Sequence, residues 1–304
     1  MSDECAIAID IGGTTTKIAL IRRNGAIENQ VNLPMAGFAS VEFFLRELTQ
    51  AVAGLPSDTG YVMETIGVAC PGPVNLRGQT GDLATLPFLS NCDLRSLLSG
   101  ALERAVRVDH DAKLAVYAEF HTREPASPNL SSIVIGTGVG VGMICDGRVI
   151  RGEDNAAGEL GHVGYPAASA LPQVSGCQCG RIDCLHNALA APIIARRLGV
   201  MIGTVVEPSA VFRLAASGNP HAGVALDEAA RALDWLCQTI TLGTGIREHV
   251  VTGSFGHPLT DVLAQDQARQ KEQMFAYKVQ SSRLMEVASL VGAGLSILLA
   301  PELR

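Results

Sequence analysis

The chain has 304 residues, with 23 Lys and Arg against 30 Asp and Glu, a net charge of −7, and 47% hydrophobic residues. That length suggests about two domains, each large enough to bury a core without disulfide staples. Four of the 23 basic residues are Lys, and the Arg are scattered apart from Arg22–Arg23 and Arg196–Arg197, so no concentrated footprint for nucleic acid is visible. Gly and Pro, at 32 and 14, are too few for a collagen-like or disordered chain.

The longest uncharged apolar stretch, Val287 to Ala300, has 14 residues and contains Gly292 and Gly294. A membrane-spanning helix needs about 20. The N-terminus shows Asp3 and Glu4 rather than basic residues before an apolar run, so no signal peptide is expected. The expectation is a cytoplasmic protein whose eight Cys are thiols or metal ligands.

In chain order, β-rich runs at 5–11 and 15–22 are split by Gly12–Gly13, the pattern of a hairpin with a glycine turn. A third strand is predicted near 26–33. Val41, Phe44, Leu45, Leu48 and Val52 give helical spacing over 40–53. An apolar strand at 65–70 runs into Pro71-Gly72-Pro73. Helices are predicted at 93–104 and 111–121, with a short strand at 106–109 between them. The pattern then restarts: a strand at 131–136, a glycine turn, and a strand at 139–145. Helices at 188–198, 206–217 and 221–242, a strand at 248–253 and a helix at 284–299 complete the chain. The halves are expected to meet near Val108–Asp111.

Four motifs carry chemistry. In Asp10-Ile-Gly-Gly-Thr-Thr-Thr-Lys17, a carboxylate ends a buried strand and two Gly let backbone N–H groups approach an anion. Thr14 and Thr15 add hydroxyls, and Asp10 suits Mg²⁺. The plain alternative is a hairpin turn. Gly136-Thr-Gly-Val-Gly-Val-Gly142 is a second glycine loop; a strand follows it, so it is neither a dinucleotide fingerprint nor a P-loop. Two such hairpins can hold a polyphosphate from two sides. Asp111, in Val108-Asp-His-Asp-Ala-Lys113, is a helix cap or a general base for a substrate hydroxyl, with Asp109 competing on spacing. His162 with Cys177, Cys179 and Cys184 forms the ligand set of a structural Cys₃His zinc site; the alternative is free thiols. Cys5, Cys70, Cys92, Cys145 and Cys237 read as small core residues.

Together these residues resemble the ROK family (repressor, open reading frame, kinase) of bacterial sugar kinases and regulators. Asp10 to Lys17 resembles its first phosphate loop, Gly67 to Val74 its sugar-side loop, and Gly136 to Gly142 its second phosphate loop. Gly158-Glu-Leu-Gly-His162 with the Cys run resembles its zinc signature, and Val291-Gly-Ala-Gly-Leu295 its C-terminal helix. The resemblance implies an α/β, actin-like ATPase fold, a duplicated ribonuclease H-like architecture of two domains around a cleft. The lobes would be 1–109 plus about 288–304, and 110–287. It implies an ATP-dependent sugar kinase acting at a 6-hydroxyl, with Asp111 as base, Mg²⁺ and structural zinc. Asp10, Gly12, Gly13, Thr14, Thr15, Lys17, Gly136, Thr137, Gly138, Gly140 and Gly253 would hold the nucleotide. Pro71, Gly72, His110, Glu159, His162 and His186 would face the sugar. The partners implied are a small sugar and a second copy of the chain as a homodimer, with no nucleic acid and no membrane.

The sequence departs from the family at His110, where Asn is usual, at His186, where Glu is usual, at Lys113, where Asn is usual, and at Asp183, where Gly is usual; Thr252-Gly-Ser-Phe-Gly256 lacks a glycine triplet. These exchanges point to a substrate other than glucose, such as an epimer, a ketose, an amino sugar or an anionic sugar, and exchanging Asn and Glu for two His makes the pocket less negative, which would suit a carboxylate or phosphate; the other reading is a non-catalytic sugar sensor. Lys113 is expected on the solvated surface of its helix. A regulator of the family resembles the kinase with an added helix-turn-helix region before the first phosphate loop; with that loop starting at Asp10, the regulator reading is not expected here. His121, His221, His249 and His257 are expected to be ordinary surface or core residues, Trp235 a core residue, and Asp266 to Glu272 a solvated segment.

Overall fold

A computed structural model describes residues 4–56, 61–124, 127–166, 172–174, 176–264 and 275–299. The stretch Asp266 to Glu272 lies outside them. The chain divides into two compact units, the first made of Met1–Ala126, Val149–Ala157 and Val287–Arg304, the second of Ser127–Arg148 and Gly158–Glu286.

In the first unit, β1 (Glu4–Ile11) and β2 (Thr15–Arg22) form the expected hairpin, and β3 (Ile27–Pro34) adds antiparallel to β2. Helix α1 (Val41–Ala53) follows, with Ser40 Oγ accepting from Phe43 N–H at 3.2 Å as its cap. Strand β4 (Tyr61–Val62) pairs with β1; β5 (Ile66–Cys70) runs parallel to β1. Helix α2 (Leu94–Leu102) leads to β6 (Val106–His110), parallel to β5, and then α3 (Asp111–Thr122). Among the described residues the sheet order is β3-β2-β1-β5-β6, with β4 at one end of β1.

The alternation along β1 decides which face each helix covers. Cys5, Ile7, Ile9 and Ile11 join Ile18, Leu20, Phe44, Leu48, Leu94 and Leu98 in one core. On the other face small Ala6 meets Ile297 and Leu298 of the last helix, α9. Close approach is enforced by glycine: a Cβ on Gly292 would stand 1.9 Å from Leu114 O, and one on Gly67 would stand 2.1 Å from Ala293 O. Helix α3 therefore packs in the first unit, so the division falls after it, whereas the sequence pattern places it at 109–110.

The second unit repeats the arrangement. Strands β7 (Leu130–Ile135) and β8 (Val139–Cys145) form a hairpin, with β9 (Arg148–Val149) at the far edge. Helices α4 (Leu185–Leu189), α5 (Ala191–Ile202), α6 (Ala210–Ala216) and α7 (Pro220–Thr244) precede β10 (Glu248–Thr252). Then come α8 (Gly256–Ala264), β11 (Lys278–Ser281) and α9 (Ala288–Leu299), the last in the first unit. Strand β10 is parallel to β7, and β11 to β10, giving the order β9-β8-β7-β10-β11. A hairpin followed by two parallel strands thus occurs in each unit, the α/β duplication expected from the two glycine turns.

Three expectations change. The helix predicted over 188–198 is two helices broken at Ala190, because Pro192 has no N–H to continue the ladder. Trp235, expected in the core, is 39% exposed, with its ring edge-on to Tyr165 at 6.2 Å. Helix α8 and strand β11 have no counterpart in the sequence pattern; Lys278-Val-Gln-Ser281 is a short edge strand without apolar alternation. No helix among the described residues is long and apolar enough to cross a membrane.

Candidate active site

In the first unit the functional side chains gather at the carboxyl ends of β1, β5 and β6. Asp10 sits one residue before the end of β1, directly across the hairpin from Lys17. Burial lifts its carboxyl to about 7; Lys17 pulls the other way, and the charge of Asp111 raises it further. Gly12 and Gly13 make the turn, and a Cβ on Gly13 would meet the Thr85 side chain at 2.8 Å. Thr14 O accepts from Met35 N–H at 2.9 Å, fixing the loop to the end of β3, and Thr15 begins β2. Pro71 and Gly72 leave β5 beside Cys70. Burial pushes the Cys70 thiol well up, and the charges of Asp111 and Asp10 add to it.

Asp111 is the first residue of α3, not its cap. The cap is His110, whose Nδ1 accepts from Ala112 N–H at 3.1 Å. Asp111 Oδ1 accepts from the same N–H at 2.6 Å and lies 3.0 Å from His110 Nδ1, while its side chain is 28% exposed. The carboxylate is oriented at a helix N-terminus, where negative charge is stabilised, and is open to a substrate.

Asp109, the alternative on spacing, is fully engaged by neighbouring groups. Arg151 Nη2 is 2.7 Å from its Oδ2, and Asn155 Nδ2 and His110 N–H donate to its Oδ1 at 3.0 and 2.8 Å. Burial opposes its charge, but Arg151 and Asn155 outweigh burial and hold the carboxyl below the usual range. Lys113 is not on the surface either: it is 1% exposed, and its Nζ donates to Asn155 O at 2.9 Å. The partner of both is Val149–Ala157, which belongs to the first unit although it lies beyond β8 in sequence. Nothing in the local pattern marks Arg151 and Asn155 as partners of Asp109; the one available signal is this carboxylate, buried one residue before the end of β6.

In the second unit the turn of the second glycine loop is Gly136-Thr137-Gly138, closed by Gly136 N–H to Gly138 O at 3.0 Å; Gly140 lies within β8, opposite Val134. Gly253 follows β10 with φ +91°, and a Cβ there would strike Ile135 O at 2.4 Å. Ser254 Oγ would stand 4.0 Å from a Cβ on Gly136, so this turn borders the loop.

His162, Cys177, Cys179 and Cys184 come together with their donor atoms all within 4.8 Å. The convergence has a backbone cause: Tyr165 N–H donates to Asp183 O at 2.7 Å and Leu185 N–H to Val163 O at 3.0 Å, tying the segment after His162 to Cys184. Cys177 Sγ is 3.2 Å from His162 Nδ1 and 3.3 Å from Cys179 Sγ. Edges of a tetrahedral zinc site with sulfur and nitrogen ligands are about 3.5 Å, so the set fits a zinc ion. His162 Nε2 is turned the other way, 3.7 Å from Glu159 Oε2. The His186 ring lies 5.8 Å from that of His162 at 13°, a stacked pair. Burial, and then His162, hold His186 down at about 4. Of the other Cys, Cys5, Cys70 and Cys237 are buried, and Cys92 and Cys145 are partly so.

A sequence profile of the ROK family matches residues 6–298. The chain belongs to the ROK family. It is 31% identical over 230 residues to a kanosamine kinase of Amycolatopsis mediterranei, covering 75% of this chain and 73% of that one. It is 28% identical over 300 residues to an N-acetylmannosamine kinase of Salmonella arizonae, covering 95% and 97%. The crystal structure of a ROK hexokinase from Thermus thermophilus superposes with a TM-score of 0.79 at 25% identity, over 96% of this chain and 97% of that one. The ROK fold, actin-like and α/β, is the one the duplicated sheets display.

Proposed function

We propose that this ROK protein is an ATP-dependent sugar kinase that phosphorylates a hexose or hexose derivative at its 6-hydroxyl, with Asp111 as the general base. The observation that carries the reading is the placement of Asp111: its carboxylate is held by Ala112 N–H at the start of α3 and stays 28% exposed, in the same unit as Asp10 at the end of β1 beside the glycine turn. Asp111 is oriented and partly open to solvent, and Asp10 lies beside the loop proposed to hold phosphate.

In this reading the Asp111 carboxylate accepts the proton of the sugar hydroxyl as its oxygen bonds to the γ-phosphorus. The bond from that phosphorus to the β-phosphate oxygen breaks and ADP leaves. Ala112 N–H holds Oδ1 of the base, so its orientation is fixed before substrate arrives. Backbone groups of Gly12, Gly13, Thr14 and Thr15 hold phosphate oxygens, with Lys17 offsetting charge near Asp10. The turn Gly136-Thr137-Gly138, with Gly140 behind it, serves the nucleotide in the second unit, and Gly253 its adenosine. Pro71, Gly72, His110, Glu159 and His162 read the sugar. Mg²⁺ bound beside Asp10 would neutralise phosphate charge, and zinc in the Cys₃His cluster would brace its loop.

The similar kanosamine and N-acetylmannosamine kinases act on an amino and an N-acetylated amino sugar, which supports that class of acceptor. A coupled ADP-release assay with Mg-ATP across neutral hexoses, ketoses, amino, N-acetylated and acidic sugars tests the reading. Turnover on an amino or N-acetylated hexose is expected. Folded protein that releases ADP with no sugar would overturn it.

A further inference from the structure

Asn155 lies in the run Val149–Ala157, which belongs to the first unit. It is 3% exposed, and its φ of +70° is a left-handed conformation that Asn adopts more readily than most side chains. Every polar atom of its amide is used. Nδ2 donates to Val74 O at 3.0 Å and to Asp109 Oδ1 at 3.0 Å. Oδ1 accepts from Arg151 Nη1 at 3.0 Å. The backbone carbonyl accepts from Lys113 Nζ at 2.9 Å. One buried residue is therefore bonded to the loop after β5, to the end of β6 and to the first turn of α3.

The ladder between β5 and β6 ends at the pair Cys70–His110. Past that pair the loop runs through Pro71 and Gly72 to Val74, while the other chain turns at His110 into Asp111 and α3. The Asn155 amide spans the two, one nitrogen bonding to Val74 O on one side and to the Asp109 carboxylate on the other. From this geometry we infer that Asn155 is a positioning residue of the transfer site: it fixes the separation between the Pro71–Gly72 loop and the strand end that presents Asp111. The inference rests on the kinase reading, in which that loop faces the sugar and Asp111 takes the hydroxyl proton. Asn155 acts through Val74 and Asp109, with no bond to Asp111 itself. Arg151 holds both the Asn155 amide and Asp109, and bonds to a charged partner are the stronger ones, so the bridge is stiff. A base and a hydroxyl held on two separate chains react only when the chains keep a set distance, and an error of about 1 Å costs about a hundredfold in rate.

The test compares wild type with Asn155→Asp and Asn155→Gly. The Asp variant keeps the shape but has no N–H to donate, so both bridging bonds are lost. The Gly variant suits the left-handed backbone and keeps the carbonyl that Lys113 holds. For each, kcat and KM for the best acceptor sugar, binding of a fluorescent ATP analogue, sugar phosphate formed per ADP released and the thermal midpoint are measured, with kinetics taken well below the midpoint. The expected result is a fall in kcat/KM for the sugar of about tenfold to a hundredfold in both variants. Nucleotide affinity is kept, and less sugar phosphate forms per ADP, because a misaligned hydroxyl competes less well with water. Folded variants with the kcat and sugar KM of wild type would overturn the inference. So would turnover and nucleotide binding that fall by one common factor, or failure of both variants to fold, since either makes Asn155 a stability residue only. Wild type that shows no sugar-dependent ADP release would instead overturn the kinase reading, and this inference with it.

Discussion

Arg151 Nη2 stands 2.7 Å from Asp109 Oδ2, and this ion pair pins the run Val149–Ala157 to the end of β6, one residue from His110 and two from Asp111. Both partners are largely withdrawn from water, with 28% and 10% of their side chains exposed. Removing one leaves the other unpaired in a poorly solvated place.

Arg151→Ala is therefore expected to lower stability by about 2–4 kcal/mol at pH 7, read as a reduced urea midpoint. The sign with pH follows from Asp109, whose carboxyl is held below its ordinary value. Its stabilisation is present above that ordinary value, near 4, and is lost as pH falls through the folded value. The difference between wild type and variant should narrow toward pH 3. Equal midpoints at pH 7 would contradict this role.

Lys113 offers a sharper contrast, because its sequence context suggested a solvated residue. Buried and bonded to Asn155 O, it should not tolerate loss of its ammonium. Lys113→Met keeps the stem but leaves a buried carbonyl unmatched, at a cost of about 1–3 kcal/mol. A surface lysine would give no measurable change in thermal midpoint.

His249 supplies the pH dependence of the second unit. It is buried between Ser131 Oγ, 2.7 Å from Nδ1, and Thr241 Oγ1, 2.9 Å from Nε2, with the Tyr277 ring 5.2 Å away. Burial holds it down at about 4. The unfolded chain, with an ordinary value near 6.5, binds more protons in that interval, so stability falls as pH drops from about 6.5 toward 4. The loss amounts to about 2–3 kcal/mol at the acid end. His249→Gln should unfold with a flatter pH dependence between pH 7 and 4.5; an identical slope would count against this assignment.

Gly292→Ala tests the packing of α9. Its Cβ would stand 1.9 Å from a backbone carbonyl of α3, where nothing flexible can yield. A loss of about 2–3 kcal/mol in urea unfolding is expected. An unchanged midpoint would mean that α9 does not pack this closely.

Much of this organisation is legible along the chain because it is local. Ile7, Ile9 and Ile11 alternate, Gly12–Gly13 breaks the run, and a second run from Thr15 follows; that pattern is a hairpin signal, and the two runs pair antiparallel here. The Cys177-x-Cys179 and Cys184 spacing with His162 is legible because thiolates gather around one cation at short range. The interior of the first site is not. Asn155 reaches Lys113 across 42 positions of sequence, and no periodicity in 149–157 announces that this run returns to the first unit. The break at Ala190 is hidden because apolar spacing continues through Pro192, and Trp235 reads as core because its helix is apolar on the neighbouring face.

The most direct measurement is the turnover of Asp111→Asn beside wild type, with saturating Mg-ATP and the best acceptor sugar. The substitution keeps the shape and the helix-terminal hydrogen bond but cannot take a proton. A fall in kcat of about 10²–10⁴-fold with sugar and nucleotide binding retained is the predicted result. A variant that turns over within a few fold of wild type would show that Asp111 is not the base, and the mechanism drawn from this site would fall.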